Sequence, residues 1–205
     1  MKLTKSISRI LVVVLVLSGL SAPTSHALVG LSVVGGATHT TPMVKTASGQ
    51  GLATHPRLDF LGGALVDFGL TGTISVEGGL LYVRNKYSSS ASGLLYTLTI
   101  PNLQVPIFFR YHPIRFVSLG VGGYYSKKTG TVKVETSIAG ADIDTSNIKD
   151  DYGFGGSVRL HIPMGVLSTF IVDARYLQGF KDHESGPAEY KNRQLQAFAG
   201  LRFGI

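Results

Sequence analysis

The chain has 205 residues, a formal net charge of +7 and no cysteine. The lack of cysteine excludes a disulfide framework and thiol chemistry. The basic residues do not form a run with interleaved aromatic side chains, so the sequence gives little support for nucleic-acid binding.

The first 27 residues have the parts of a secretory signal peptide. Lys2, Lys5 and Arg9 form a basic start, residues 10–20 are an apolar run, and small residues flank His26. The apolar run is shorter than the roughly 20 residues of a membrane-spanning helix, so a short N-terminal anchor is the weaker alternative. We predict export and cleavage after Ala27. Cleavage removes three of the 19 basic and none of the 12 acidic residues, so residues 28–205 form one domain with a net charge of +4.

Beyond the signal peptide, apolar and polar residues alternate repeatedly with the period of two that is typical of β-strands. Eight segments show this alternation, near residues 29–37, 58–68, 74–82, 96–113, 117–125, 152–162, 170–176 and 195–205. The connections alternate between long (about 39–56, 85–95, 126–150 and 179–190) and short (centred on 69–72, 112–115 and 163–165). Short periplasmic turns and longer outer loops are typical of outer-membrane barrels. The pattern therefore predicts an all-β fold, an eight-stranded antiparallel up-and-down transmembrane barrel over residues 28–205.

Two further details concern individual strands. Weak alternation over residues 131–135 predicts that the fifth and sixth strands continue beyond the membrane as a hairpin. In the stretch LQVPIFFRYHP (residues 103–113), Pro106 removes a donor from the strand ladder. The apolar phase changes near Pro101 and Asn102, which predicts a β-bulge there.

Alternation alone does not decide which face meets water. In a soluble sandwich or lipocalin-type barrel the apolar face is inside, whereas in a membrane barrel it meets lipid. The polar faces carry almost no lysine, and most lysines fall in the predicted loops. The charges of the polar faces are four acids and four arginines, which suits a closed lumen where each charge needs a partner. The predicted lumen charges are Asp59, Asp67, Glu77, Asp173, Arg110, Arg159, Arg175 and Arg202.

Tyrosines at strand ends also favour the membrane barrel. They lie on the apolar faces, where an amphipathic ring meets both lipid and headgroup. The predicted interfacial aromatics are Tyr82, Tyr111, Tyr125, Tyr152 and Tyr176. Leu103, Val105, Ile107 and Phe109 are predicted to face lipid, while Phe108, Phe116, Tyr124 and Phe198 are predicted to point inward and help to block the lumen.

Several short motifs resemble the small outer-membrane β-barrel domain proteins of the porin-family or PorT-like group. They are LQVPIFFRY (residues 103–111), VDARY (172–176) and QAFAGLRF (196–203). The resemblance covers essentially the whole mature chain. It implies an eight-stranded barrel in the outer membrane of a Gram-negative bacterium, with no assigned chemistry. Barrels of this kind usually end in an aromatic residue that the insertion machinery reads, whereas this chain alternates through Leu201 and Phe203 but ends in Ile205.

The sequence predicts a structural or surface-interaction protein rather than an enzyme. A narrow small-solute channel is the first alternative, although an eight-stranded barrel is only wide enough for side chains to fill it. A lipid A-modifying enzyme is a distant alternative, with His183, Glu184, Ser185 or residues 88–90 as its candidates. We expect no cofactor and no metal site, because His39 and His55 have no accompanying ligands. The expected partners of this monomer are membrane lipid and lipopolysaccharide. Lys127, Lys128 and Lys133 are candidates for contact with lipopolysaccharide phosphates, although a solvated charge run is the favoured interpretation.

Overall fold

The computed structural model describes residues 29–45, 54–91, 94–129, 132–136, 140–143, 150–165, 167–180 and 189–204. The predicted signal peptide and its cleavage site after Ala27 lie outside these residues. In the described part of the chain no helix is long and apolar enough to cross a membrane.

The described elements are eleven β-strands. In chain order they are β1 (Val29–Lys45), β2 (Thr54–Pro56), β3 (Leu58–Gly69), β4 (Ile74–Ala91), β5 (Leu94–Ile114), β6 (Val117–Lys128), β7 (Val132–Thr136), β8 (Gly140–Ile143), β9 (Asp151–Pro163), β10 (Ser168–Gly179) and β11 (Glu189–Gly204). Strands β1, β3, β4, β5, β6, β9, β10 and β11 pair antiparallel with their neighbours in this order, and β11 pairs with β1. The predicted closed eight-stranded barrel is confirmed. We call the end with the connections 70–73, 115–116 and 164–167 the turn end, and the opposite end the loop end.

The strands extend further at the loop end than the sequence predicts. Most of the predicted loop 85–95 is strand, because β4 runs to Ala91 and pairs with β5 from Leu94 onward. Strand β1 likewise runs to Lys45, well into the predicted first loop. The hairpin predicted beyond the fifth and sixth strands is confirmed, although it is formed by two separate strands. Strand β7 follows β6 as a partner of β5, from Thr99 to Tyr96, and pairs with β8.

Pro106 interrupts one of the two ladders of β5. Ile107 pairs with Gly78 and Gln104 with Leu81, while the register between β4 and β5 has a gap at the intervening residues. Proline has no N–H to donate, which accounts for the gap. The bulge predicted near Pro101 and Asn102 is absent from the ladder with β4, where the register is continuous. On the other side of β5 the pairing changes by two residues between Asn102–Lys128 and Thr99–Lys133. A further shift lies between Tyr111 and Ile114, around Pro113.

The two faces of the barrel wall differ in polarity as predicted for a membrane barrel. Exposed apolar side chains lie on every barrel strand, and include Leu31, Val33, Phe60, Phe68, Ile74, Leu80, Ile107, Phe109, Leu119, Val121, Val158, Leu160, Val172, Tyr176, Leu195 and Leu201. Most buried polar and charged residues point into the lumen. Phe108, Tyr124 and Phe198 are buried, but the prediction for Phe116 is wrong, because it lies in the turn 115–116 and is exposed.

Large inward side chains lie opposite inward glycines. Phe108 pairs with Gly122 on β6, and Phe198 pairs with Gly36 on β1. A Cβ atom at Gly36 would lie 2.5 Å from the Cα of Phe198, and one at Gly122 would lie 2.6 Å from the Cα of Phe108. Adjacent strands therefore approach each other at these points more closely than a side chain allows, which is a use of glycine within strands. The same pairing joins Leu65 with Gly79, Leu81 with Gly63, Leu177 with Gly155 and Val34 with Gly200.

Candidate functional site: the charged lumen

Glu77 and Asp173 lie at the centre of the lumen. Glu77 is on β4 and Asp173 is on β10, four strands away around the ring of eight, and both side chains are fully buried. Arg110 on β5 bridges them. Its Nε donates to Oε2 of Glu77 at 2.9 Å, and its Nη2 donates to Oδ2 of Asp173 at 2.7 Å.

Two more arginines bind the same pair of carboxylates. Arg159 on β9 donates from Nε to Oδ2 of Asp173 at 2.7 Å and from Nη2 to Glu77. Arg175 on β10 donates from Nη2 to Oε1 of Glu77 at 2.6 Å and from Nε to Oδ1 of Asp173 at 3.2 Å. Each guanidinium thus contacts both acids. Charges buried to this extent are tolerated only when they are paired and hydrogen-bonded.

Asp67 extends the cluster towards the turn end. Its Oδ1 lies 3.6 Å from Nη1 of Arg159, and its Oδ2 lies 3.4 Å from Nε of Arg202. We call Asp67, Glu77, Asp173, Arg110, Arg159, Arg175 and Arg202 the lumen charge network. Its four arginines face three carboxylates, which leaves one positive charge in excess.

Asp59 was predicted to belong with these charges, and the structure places it elsewhere. It lies near the loop end of β3, where its Oδ1 is 3.6 Å from Nε of Arg84. The Arg84 side chain is 42% exposed, so this pair is at the rim of the barrel. The sequence gives no signal for Arg84, because its position in the alternation of β4 is that of an outward residue.

An aromatic layer accompanies the network. The Cζ atom of Arg175 lies 4.9 Å from the ring centroid of Phe108 and 4.6 Å from that of Phe198. Cation–π contacts of this kind are stronger when the cation is desolvated. Phe108 on β5 and Phe198 on β11 are four strands apart in the ring, so the two rings and the guanidinium together fill the lumen at this level.

Beside the predicted inward Phe108, Tyr124 and Phe198, buried aliphatic side chains form a part of the lumen that the sequence did not suggest. The larger cluster contains Val34, Leu61, Leu65, Leu81, Val83, Ile171 and Phe198. A smaller one contains Phe108, Tyr124 and Leu177. The lumen is thus packed partly with hydrocarbon and partly with charge.

The loop-end half of the lumen is lined by amides and hydroxyls. Gln196 donates to Gln104 at 2.9 Å across the barrel and to Gln194 at 3.1 Å. Closer to the rim, Asp151 accepts a hydrogen bond from the hydroxyl of Tyr124 at 3.1 Å and another from Asn192 at 3.3 Å.

The turn-end mouth holds two histidines. Nε2 of His112 lies 3.0 Å from Oγ of Ser75, and Nε2 of His161 lies 3.0 Å from Oγ of Ser118. The two imidazole centroids are 5.5 Å apart. Arg110 donates from Nη1 to Ser118 at 3.4 Å, which links this mouth to the lumen charge network.

The tyrosines predicted at the membrane interfaces are all exposed on the outer wall. Their exposed fractions lie between 37% for Tyr111 and 49% for Tyr152 and Tyr176, with Tyr82 and Tyr125 between them. Tyr125 and Tyr152 are cross-strand partners near the loop end. The ring of Phe180 lies 6.3 Å from that of Tyr152 and stacks on Phe154 at 5.0 Å, so aromatic residues cluster on this part of the wall.

Of the candidates for catalysis, the described part of the chain contains residues 88–90. His183, Glu184 and Ser185 lie outside the described residues, and residues 88–90 belong to strand β4. No group of three or more histidines or carboxylates suited to a metal ion occurs among the described residues.

Comparison with known proteins gives the class of fold. No protein-family model and no curated protein sequence matches the chain. Its structure is similar to that of the outer membrane protein OprG from Pseudomonas aeruginosa, with a TM-score of 0.54 and 12% identity over 89% of this chain and 98% of OprG. Ail from Yersinia pestis is more distant, with a TM-score of 0.48 and 15% identity over 85% of this chain and 98% of that one. The Neisserial surface protein NspA has a TM-score of 0.46 and 12% identity, over 85% and 97% respectively. We base the assignment on OprG: the fold is that of a small eight-stranded outer-membrane β-barrel.

Proposed function

We propose that this protein is a monomeric barrel of a Gram-negative outer membrane, that its lumen is closed, and that its specific contacts are made at the loop end. The outer wall supports the membrane location, because exposed apolar side chains occur on all eight barrel strands. In water, a continuous apolar surface of this extent would drive association. The C-terminal strand β11 carries the alternating Leu201 and Phe203 that barrel insertion machinery would read.

The observation that carries the closed lumen is the contact of Glu77 with guanidinium groups from the opposite wall. Arg159 and Arg175 reach it from β9 and β10. Phe108 and Phe198 fill the space on either side of the Arg175 guanidinium. A solute would have to break several buried ion pairs to pass, and breaking even one such pair costs several kcal/mol.

A narrow water or ion path is the second candidate. Several buried atoms in the lumen have no hydrogen-bond partner among the described residues: Gln104 Nε2, Gln196 Oε1, Ser157 Oγ, Arg159 Nη1 and Arg175 Nη1. Buried polar atoms of this kind are commonly satisfied by ordered water. A continuous file of such water would conduct.

Reconstitution into planar lipid bilayers distinguishes the two functions. The wild-type barrel is expected to give no resolved single-channel steps, whereas Arg175→Ala, which removes the cation between the two phenylalanines, is expected to give them. Stable wild-type steps of one conductance would contradict the closed lumen. Gel mobility before and after boiling checks that each variant is folded, because a folded membrane barrel migrates differently from its boiled form.

For the loop end, the extension of β4 and β5 beyond the aromatic residues offers a surface for lipopolysaccharide. Lys127 is exposed there, next to the interfacial Tyr125. Charge attraction to lipid phosphates would be weak for one lysine and additive over several. An enzymatic role has no comparable support among the described residues.

A further inference from the structure

A small polar pocket opens at the turn end of the barrel. Its polar lining residues are Asp67, Thr71, Ser75, His112, His161 and Arg202. These residues come from five barrel strands and one turn, so they meet only when the barrel closes. The pocket lies at the lumen mouth, beyond the ion pairs that fill the centre.

Arg202 gives this pocket its charge. Within the described residues, its guanidinium contacts a single carboxylate, through Nε to Oδ2 of Asp67 at 3.4 Å. Its two terminal nitrogens are therefore left for another acceptor. A side chain at position 30 would overlap this guanidinium, so Gly30 makes the room in which it lies. The side chain is 16% exposed, which makes it accessible from the turn end.

The carboxylate in the pocket is already neutralised. Asp67 lies 3.6 Å from Arg159 as well as 3.4 Å from Arg202, so it is shared between two guanidinium groups. The lumen charge network as a whole keeps one uncompensated positive charge. The three inner arginines share only Glu77 and Asp173, and Arg159 also draws on Asp67. The charge of Arg202 is therefore only partly offset by Asp67, and an anion can reach it from the turn end.

Other groups in the pocket add hydrogen-bond donors. The Thr71 oxygen accepts from the backbone N–H groups of Thr73 and Ile74 at 3.3 Å and 3.0 Å, which leaves the hydroxyl proton to donate. His161 uses Nε2 towards Ser118, so Nδ1 remains for a second partner. A guanidinium edge with neighbouring hydroxyl and imidazole donors is the chemistry that recognises phosphate oxygens.

We propose that the turn-end pocket binds a phosphate group, either free or as the headgroup of a phospholipid of the adjacent leaflet. The rim of the pocket fits both sources. Ile74 lines the pocket and is 41% exposed, and its neighbours Phe68 and Leu70 are exposed at 51% and 60%. A lipid with its phosphate on Arg202 would thus place its chains against apolar side chains. The lipid source rests on the proposed membrane location, whereas the phosphate site itself does not.

The first experiment measures the binding of inorganic phosphate to the folded protein in a non-ionic detergent, by isothermal titration calorimetry. Wild type is expected to bind phosphate saturably, and Arg202→Gln is expected to bind it about tenfold more weakly, the size of one charge-assisted hydrogen-bond contact. Arg115→Gln is the matched control, because Arg115 lies at the same end but over the ring of Phe116, at 5.8 Å. It should bind like wild type. If Arg202→Gln does not fold in the gel-mobility test, Arg202→Lys is the replacement variant. It keeps the positive charge beside Asp67 but lacks the planar guanidinium edge, so it should bind phosphate several-fold more weakly than wild type.

The second experiment tests the lipid source by native mass spectrometry of protein extracted from phosphatidylglycerol vesicles. Retained lipid in wild type and Arg115→Gln, with loss in Arg202→Gln or Arg202→Lys, supports headgroup binding. Phosphate binding that depends on Arg202 without retained lipid supports the free anion. Equal behaviour of the Arg202 and Arg115 variants in both experiments overturns the site. A failure of the barrel to insert into vesicles would instead contradict the proposed membrane location, and the phosphate titration would still stand.

Discussion

Arg175 on β10 donates a hydrogen bond to Glu77 on β4, the strand diametrically opposite in the barrel, with 2.6 Å between Nη2 and Oε1. A contact of this kind ties together two strands that share no ladder. Arg159 does the same from β9. The walls of the barrel are therefore joined through the lumen as well as around the circumference, and the lumen charge network is the part of the protein where single substitutions should have large effects.

The first prediction concerns Glu77. Glu77→Gln keeps the shape of the side chain but leaves three buried guanidinium groups sharing one carboxylate. Removing one partner of a buried pair typically destabilises by about 3–5 kcal/mol. We expect a loss of that order in the free energy of unfolding, measured by urea titration of the barrel in phospholipid vesicles.

Asp59→Asn is the matched acid-to-amide control. Asp59 pairs with the partly exposed Arg84 at 3.6 Å, and exposed pairs contribute about 1 kcal/mol or less. The two substitutions should therefore differ clearly. Equal losses for Glu77→Gln and Asp59→Asn would show that the central network has no special energetic weight.

The second prediction concerns the coupling between Arg110 and Glu77. Arg110→Ala should destabilise the barrel, because it leaves Glu77 and Asp173 with one cation fewer. In the Arg110→Ala background, Glu77→Gln should lower the free energy of unfolding by less than it does in the wild type. The reason is that two buried arginines, rather than three, then share Asp173. Residues of one ion-pair network commonly show coupling energies of about 0.5–3 kcal/mol. Additive losses in a double-mutant cycle would contradict a shared network.

The third prediction concerns neighbouring glycines on β1. A Cβ atom at Gly36 would overlap the backbone carbonyl of Ala197, whereas one at Gly35 would meet nothing within 4 Å. Gly36→Ala should therefore destabilise by about 1–3 kcal/mol, as over-packing does. Gly35→Ala should be neutral or stabilising by up to about 1 kcal/mol, because alanine restricts the unfolded chain. Urea unfolding of both variants checks this. Similar losses of unfolding free energy at both positions would show that the close approach of β1 and β11 is not the reason for glycine at position 36.

The strand number could be predicted because lipid imposes a strict rule. Each membrane-crossing segment must present an apolar face, so alternation marks it whatever its partners are. The same rule explains the error over residues 85–95. Beyond the membrane no apolar face is required, so the serine- and tyrosine-containing ends of β4 and β5 pair with each other without a hydrophobic pattern that would indicate a strand.

The central contacts could not be predicted because they cross the lumen. Alternation shows that Glu77 and Arg175 point inward. The height of each side chain along the barrel axis, however, depends on the tilt and stagger of all eight strands. Asp59 illustrates the difference. It also has the inward phase, yet it lies near the loop end of β3 and pairs with Arg84. The inward leucines at 61, 65 and 81 were missed for a related reason, since an apolar residue on the polar face weakens the pattern that identifies that face.

The last prediction tests which side chains meet lipid. The chain has no tryptophan, so a single introduced one reports its surroundings without background. Val121 is 65% exposed in the middle of β6, and Tyr152 is 49% exposed at the predicted interface. In vesicles, Val121→Trp should emit at shorter wavelength and be quenched most strongly by lipids brominated deep in the acyl chain. Tyr152→Trp should be quenched most by lipids brominated near the headgroup, because tryptophan at the interface places its N–H towards water. If aqueous acrylamide strongly quenched both tryptophans and brominated lipid quenched neither, these side chains would not contact a membrane. The soluble β-sheet protein would then be the correct alternative.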